Sequence, residues 1–218
     1  MTCARQHLQV AEEWIAMEWT PGLGEHDRAR LWQHLEKHPA IPALRRAEDV
    51  DAAFRHNAKL VFFLTGTLYD LRDVCARGES LGMHVFCHLD LVQGIGKDPA
   101  GIKWLATEIG VRGVLTTRST LIRAAKNEGL MAIQRLFMLD SESLRTGLEI
   151  IASSRPDAVE ILPALVVPSM ARRLPTDKIS PFIAGGLVET VAEIESIMAA
   201  GALGVSTSKK ELWAYERA

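Results

Sequence analysis

From Pro39 onward the chain repeats one pattern: a short apolar run, then a stripe of apolar residues at helical spacing. The runs are Ala40 to Leu44, Leu60 to Leu64, Met83 to Leu89, Val111 to Thr116, Leu130 to Leu136, Ala158 to Leu162, Phe182 to Ala184 and Leu203 to Thr207. Unbroken apolar character marks strands covered on both faces, as in parallel sheets packed under helices. Between them, Leu71, Val74, Cys75 and Leu81 share one helical face. So do Ile102, Leu105, Ala106 and Ile109, and again Val191, Ile194, Ile197 and Met198. Helix starts are signalled by Asp98-Pro99, by Asp140 and by Thr190 with Glu193 at capping-box spacing. Gly82, Gly110, Gly129 and Gly201 supply left-handed stops. Eight alternations in about 180 residues predict an α/β fold, a (β/α)8 TIM-like barrel. An open doubly wound sheet would carry its glycine-rich turn after the first strand. Here that turn is Leu44-Arg45-Arg46-Ala47, so the barrel is preferred. A final helix is expected over Lys209 to Tyr215.

Residues 1–38 stand apart as a helical N-terminal extension of the barrel domain, 39–218. The extension holds three of the five tryptophans, Trp14, Trp19 and Trp32, around a Pro21-Gly-Leu-Gly24 break. Two short helices are expected there, the second near Asp27 to Lys37. The chain has 218 residues, 48% of them hydrophobic, which suits one domain with a sizeable core. A net charge of −2 is not that of a protein coating nucleic acid indiscriminately, although a local basic patch fits it. Three cysteines without Cys-x-x-Cys spacing read as reduced thiols in a cytoplasmic protein. No run suggests a membrane span or a signal peptide.

In a barrel, chemistry gathers where the strands end. The seventh expected strand ends on Gly185 and Gly186, and the eighth on Ser206, Thr207 and Ser208. Backbone N–H groups at the glycines and the three hydroxyls can ring a phosphate, in the position where barrels often bind one. The alternative is that the glycine pair only makes a tight turn. His88 and Asp90 close the third strand, on one face by the period of two. They could bind ligand hydroxyls, hold a metal or act as base and orienter, or the histidine could be structural and satisfied by its neighbour; two ligands alone do not make a metal site. Of Arg118 and Arg135, one is expected to face the mouth, where a guanidinium suits phosphate. Glu160, isolated in an apolar strand, either pairs with Arg135 or contacts ligand. Gly94 and Gly96 read as a flexible mouth loop. The clusters Arg45-Arg46, Arg172-Arg173 and Lys209-Lys210 read as solvated charge or as contacts to a nucleic-acid backbone.

Taken together, these stretches resemble the glycerol uptake operon antiterminator family. The resemblance rests on Ile41-Pro-Ala-Leu-Arg45, His88-Leu-Asp-Leu91 with Gly94, and Leu115-Thr-Thr-Arg-Ser119. It continues through Ala132-Ile-Gln-Arg-Leu-Phe137, Leu139-Asp-Ser141, Val159-Glu-Ile-Leu-Pro163, Ala184-Gly-Gly-Leu187 and Ser206-Thr-Ser208. The resemblance implies a regulator, not an enzyme, that senses glycerol 3-phosphate and then binds leader mRNA of glycerol-utilisation genes. No cofactor and no metal site are expected. On this resemblance Gly185, Gly186 and Ser208 would hold phosphate, with His88, Asp90 and Arg118 toward the glycerol end. The 1–38 segment departs from the family. The competing reading is a barrel isomerase or lyase acting on a small phosphorylated metabolite, with His88 as base. With 6% aromatic residues, the chain shows no stacking platform for single-stranded RNA.

Overall fold

The computed structural model describes residues 23–179 and 181–217. Eight parallel strands close into a barrel: β1 (Ala40–Leu44), β2 (Leu60–Phe63), β3 (His84–His88), β4 (Gly113–Thr116), β5 (Met131–Phe137), β6 (Ala158–Leu162), β7 (Phe182–Gly185) and β8 (Gly204–Thr207). Closure comes from β1 pairing with both β2 and β8, with Ala40 opposite Val205 and Ala43 opposite Phe62. Each strand matches its expected apolar run to within a residue or two at either end.

The period of two sorts each strand into inside and outside. Ile41, Leu60, Phe62, Phe86, Leu115, Met131, Ile133 and Ile183 fill the barrel interior. Phe62 and Phe86 stack there with ring centroids 6.1 Å apart, and full burial of such a ring stabilises by roughly 1.5–3 kcal/mol. The alternate residues, among them Val61, Phe63, Val85, Cys87 and Val114, meet the surrounding helices.

Helix α1 (Glu25–Lys37) precedes the barrel and places Leu31 and Leu35 against its interior residues. Arg28 fastens it, donating to the Leu23 and Gly129 carbonyls and pairing with Asp157 at 2.8 Å. Gly129 and Asp157 precede β5 and β6, so α1 lies under the N-terminal end of the barrel, away from the strand C-termini. The first helix expected in the extension falls outside the described residues.

The expected caps form. Asp98 accepts from the Gly101 N–H at 2.8 Å at the start of α4 (Pro99–Trp104), between α3 (Leu68–Ser80) and α5 (Ser119–Asn127). Helix α2 (Val50–Arg55) follows β1. Asp140 opens α6 (Ser141–Ser154), and two short helices, α7 (Val167–Met170) and α8 (Thr176–Ile179), follow β6. Thr190 and Glu193 form a reciprocal box at α9 (Val191–Ala199). The expected last helix shrinks to a 3-10 turn over Lys210–Leu212. There the Trp213 indole turns inward and donates to the Thr207 carbonyl at 2.9 Å, ending the helical path.

Candidate functional site

The strand C-termini enclose a cavity of about 420 Å³. Its floor is a chain of polar side chains from four strands. Arg135 on β5 donates through Nε to Glu160 Oε2 at 2.5 Å, and the two residues face each other in register across β5 and β6. Glu160 Oε1 accepts from Ser206 Oγ of β8 at 2.7 Å. Arg135 Nη1 also reaches His88 Nε2 at the end of β3. Burial, and after it the Arg135 guanidinium, pull the His88 pKa down to about 4, so the imidazole is neutral at pH 7 and accepts from Arg135. Its Nδ1 is buried without a hydrogen-bond partner among the described residues. Glu160 is 2% exposed. The Glu160–Arg135 pair foreseen as one alternative is therefore formed, and it lies in the cavity wall.

Glu160 and Ser206 stand on strands that are not neighbours; β7 runs between them. They meet because Gly185 of β7 has no side chain. A Cβ built there would fall 2.6 Å from Glu160 Oε1 and closer still to Ser206 Oγ. Gly185 is therefore a spacer in the wall, whereas Gly186, with φ of +83°, turns the chain and lines the cavity. A methyl on Gly186 would find only Leu162, at 3.7 Å.

The rim is made of loops. Gly186, Leu187, Val188 and Glu189 follow β7, and Ser208 and Lys209 follow β8. Thr207 is committed to the fold: its hydroxyl donates to the Val188 carbonyl at 3.2 Å and accepts from the Lys209 N–H at 3.1 Å. Lys209 pairs with Glu189 at 3.3 Å. Arg45, one residue beyond β1, reaches the rim and has no ion-pair partner among the described residues. The sequence reads Arg45 and Lys209 only as solvated or nucleic-acid-facing charge. The signal that could have placed them is their position just past a barrel strand. Arg46 and Lys210 are occupied elsewhere, by Glu48 at 2.6 Å and by Asp49 respectively.

The structure thus brings His88, Arg135, Glu160, Gly186, Ser206, Thr207 and Ser208 around one space, with Gly185 behind them. It does not bring in Asp90 or Arg118. Strand β3 stops at His88, so the alternation of side chains does not extend to Asp90, which sits in a turn. The Asp90 carboxylate accepts from the Thr116 hydroxyl and, at 2.9 Å, from the Thr117 N–H, and it pairs with Arg118 at 3.4 Å. This cluster ties the ends of β3 and β4 together, and His88 takes Arg135 rather than Asp90 as its hydrogen-bond partner. Of the two arginines, Arg135 faces the mouth. The Gly94–Gly96 loop is anchored: the Lys97 ammonium donates to the carbonyls of Leu89 and, at 3.0 Å, Val92.

Cys75 and Cys87 are free and buried, and burial raises the Cys87 thiol to about 12. Among the described residues no three His, Cys, Asp or Glu side chains gather as a metal would need. No helix there is long and apolar enough to cross a membrane.

A family model for glycerol-3-phosphate responsive antiterminators matches residues 40–213. The chain is 34% identical to the glycerol uptake operon antiterminator regulatory protein of Listeria monocytogenes strain 4b F2365, with a TM-score of 0.74 over 80% of this chain and 94% of that one. It is 30% identical to an antiterminator-related protein from Thermotoga maritima MSB8, with a TM-score of 0.72 over 82% and 99% of the two chains. The uncharacterised Escherichia coli K12 protein YgcP is 29% identical over 82% of this chain and 93% of its own length. Phosphoribosylanthranilate isomerase from Thermotoga maritima, at 11% identity and a TM-score of 0.57, shares the fold alone. The chain belongs to the glycerol-3-phosphate responsive antiterminators, a family of regulators built on a TIM-like barrel.

Proposed function

We propose that the protein senses glycerol 3-phosphate in the barrel-mouth cavity and, when loaded, binds the leader mRNA of glycerol-utilisation genes to prevent premature termination. The observation that carries the ligand half is the convergence of Gly186, Ser206 and Ser208 on one cavity that the basic side chains of Arg45 and Lys209 overlook. The phosphate sits at this rim, against the glycine turn and the two cations. The RNA half rests on family membership and on an exposed mouth whose loops a bound anion can order, shifting the population toward an RNA-competent shape.

Thermal unfolding with and without glycerol 3-phosphate tests the first half. A ligand at a hundred times its Kd adds about 2.7 kcal/mol to stability, a rise of roughly 5–10 °C for a chain of this size. No rise at millimolar concentration would remove the sensor reading. Filter retention of leader RNA tests the second half. Retention should need the ligand and fall steeply with salt.

A further inference from the structure

The floor and the rim of the cavity differ in charge, and that difference bears on which phosphate esters can enter. At the rim, Arg45 and Lys209 face one carboxylate, Glu189. At the floor, the Arg135 cation is already matched by Glu160, and His88 is uncharged at neutral pH. Among the described residues each Glu160 oxygen has a single protein donor, Arg135 Nε on one and Ser206 Oγ on the other. An ionised carboxylate has about four acceptor sites, so roughly half of its capacity has no protein donor, and Glu160 lines the cavity. Hydroxyl groups can fill those sites. A second anion finds nothing to gain there, because the remaining sites on Glu160 only accept hydrogen bonds and the nearest cation is already matched.

From this we infer that Glu160 sets the selectivity of the site: it accepts hydrogen bonds from a neutral vicinal diol and rejects phosphate esters whose far end is a carboxylate. This deepens the sensor reading and rests on it. The matched pair is glycerol 3-phosphate and 3-phosphoglycerate, which differ in having a hydroxymethyl or a carboxylate at the end remote from phosphate. Gly185 belongs to the same device, since it lets Ser206 hold the Glu160 carboxylate from the side opposite Arg135.

The test is isothermal titration of the full chain, unaltered and as Glu160→Gln, with both compounds. The unaltered protein should bind glycerol 3-phosphate at least tenfold more tightly than 3-phosphoglycerate. Glu160→Gln keeps the shape, removes the charge and leaves Arg135 unmatched. It should weaken glycerol 3-phosphate about tenfold and tighten 3-phosphoglycerate, shrinking or inverting the ratio. A purely structural role for Glu160 would weaken both ligands alike and leave the ratio unchanged, and that result overturns the inference. Near-equal binding of the two compounds by the unaltered protein overturns it as well, without need of a folded variant. Failure of the unaltered protein to bind glycerol 3-phosphate at all would instead remove the sensor reading beneath it.

Discussion

Replacing Gly185 by alanine is a severe change for a single methyl, and its size can be worked out from the floor of the cavity. The backbone there has an ordinary negative φ, so alanine brings no conformational strain and gains about 0.4–1 kcal/mol through the unfolded chain. Against this, the new Cβ lies 2.6 Å from Glu160 Oε1 and nearer still to Ser206 Oγ. Both side chains are at least 95% buried and cannot swing into solvent. Overpacking of this kind costs about 1–3 kcal/mol, and losing the hydrogen bond to a buried carboxylate about 1.5–3 more. The net is about 3 kcal/mol, or roughly 6–12 °C in Tm for a domain of this size. Circular dichroism melting of Gly185→Ala, Ser206→Ala and the double variant measures it. The double variant should fall short of the summed losses, because removing the hydroxyl removes the tightest clash. A Gly185→Ala protein that melts with the unaltered one, or above it, would show that Glu160 and Ser206 do not meet across β7.

Gly186→Ala, two atoms of backbone away, should cost only the left-handed φ, about 1–2 kcal/mol, in the same melting assay. Arg28→Ala should free α1 from the Gly129 and Asp157 loops, seen as faster proteolysis around residues 23–38. Glycerol 3-phosphate affinity should be unchanged, because that contact lies at the other end of the barrel. Acid should destabilise the fold through its buried histidines. Burial lowers His34 to about 3 and His84 and His88 to about 4, so below pH 6.5 the unfolded chain takes up protons that the folded one refuses. Stability is full above pH 6.5 and falls toward pH 4, by about 2 kcal/mol per histidine at pH 5; urea unfolding at pH 7 and pH 5 checks the sign. Thr190→Ala should lose about 1 kcal/mol with the cap of α9, read by the same denaturation.

What could be read from the chain, and what could not, divides along local and non-local lines. The strands were legible because apolar runs such as Leu60 to Phe63 are buried on both faces wherever they pair. The caps at Asp98, Asp140 and Thr190 were legible because each is a bond between residues three apart. The division of labour within the glycine pair was not. It depends on Glu160 and Ser206 arriving on either side of β7, which only the register of three strands decides. Asp90 misled for the opposite reason: the period of two was carried two residues past the point where pairing ends. The last helix misled because Trp213 has a carbonyl to bond inside the barrel wall, a contact that no helical periodicity reveals.

The packing of α1 beneath the strands has a kinetic corollary. Among the described residues, side chains fill the barrel down to Leu31 and Leu35, so a small molecule in the cavity exchanges with solvent on the side where the strands end. Anything bulky resting over that side would slow arrival and escape by the same factor, lengthening residence with no gain in affinity.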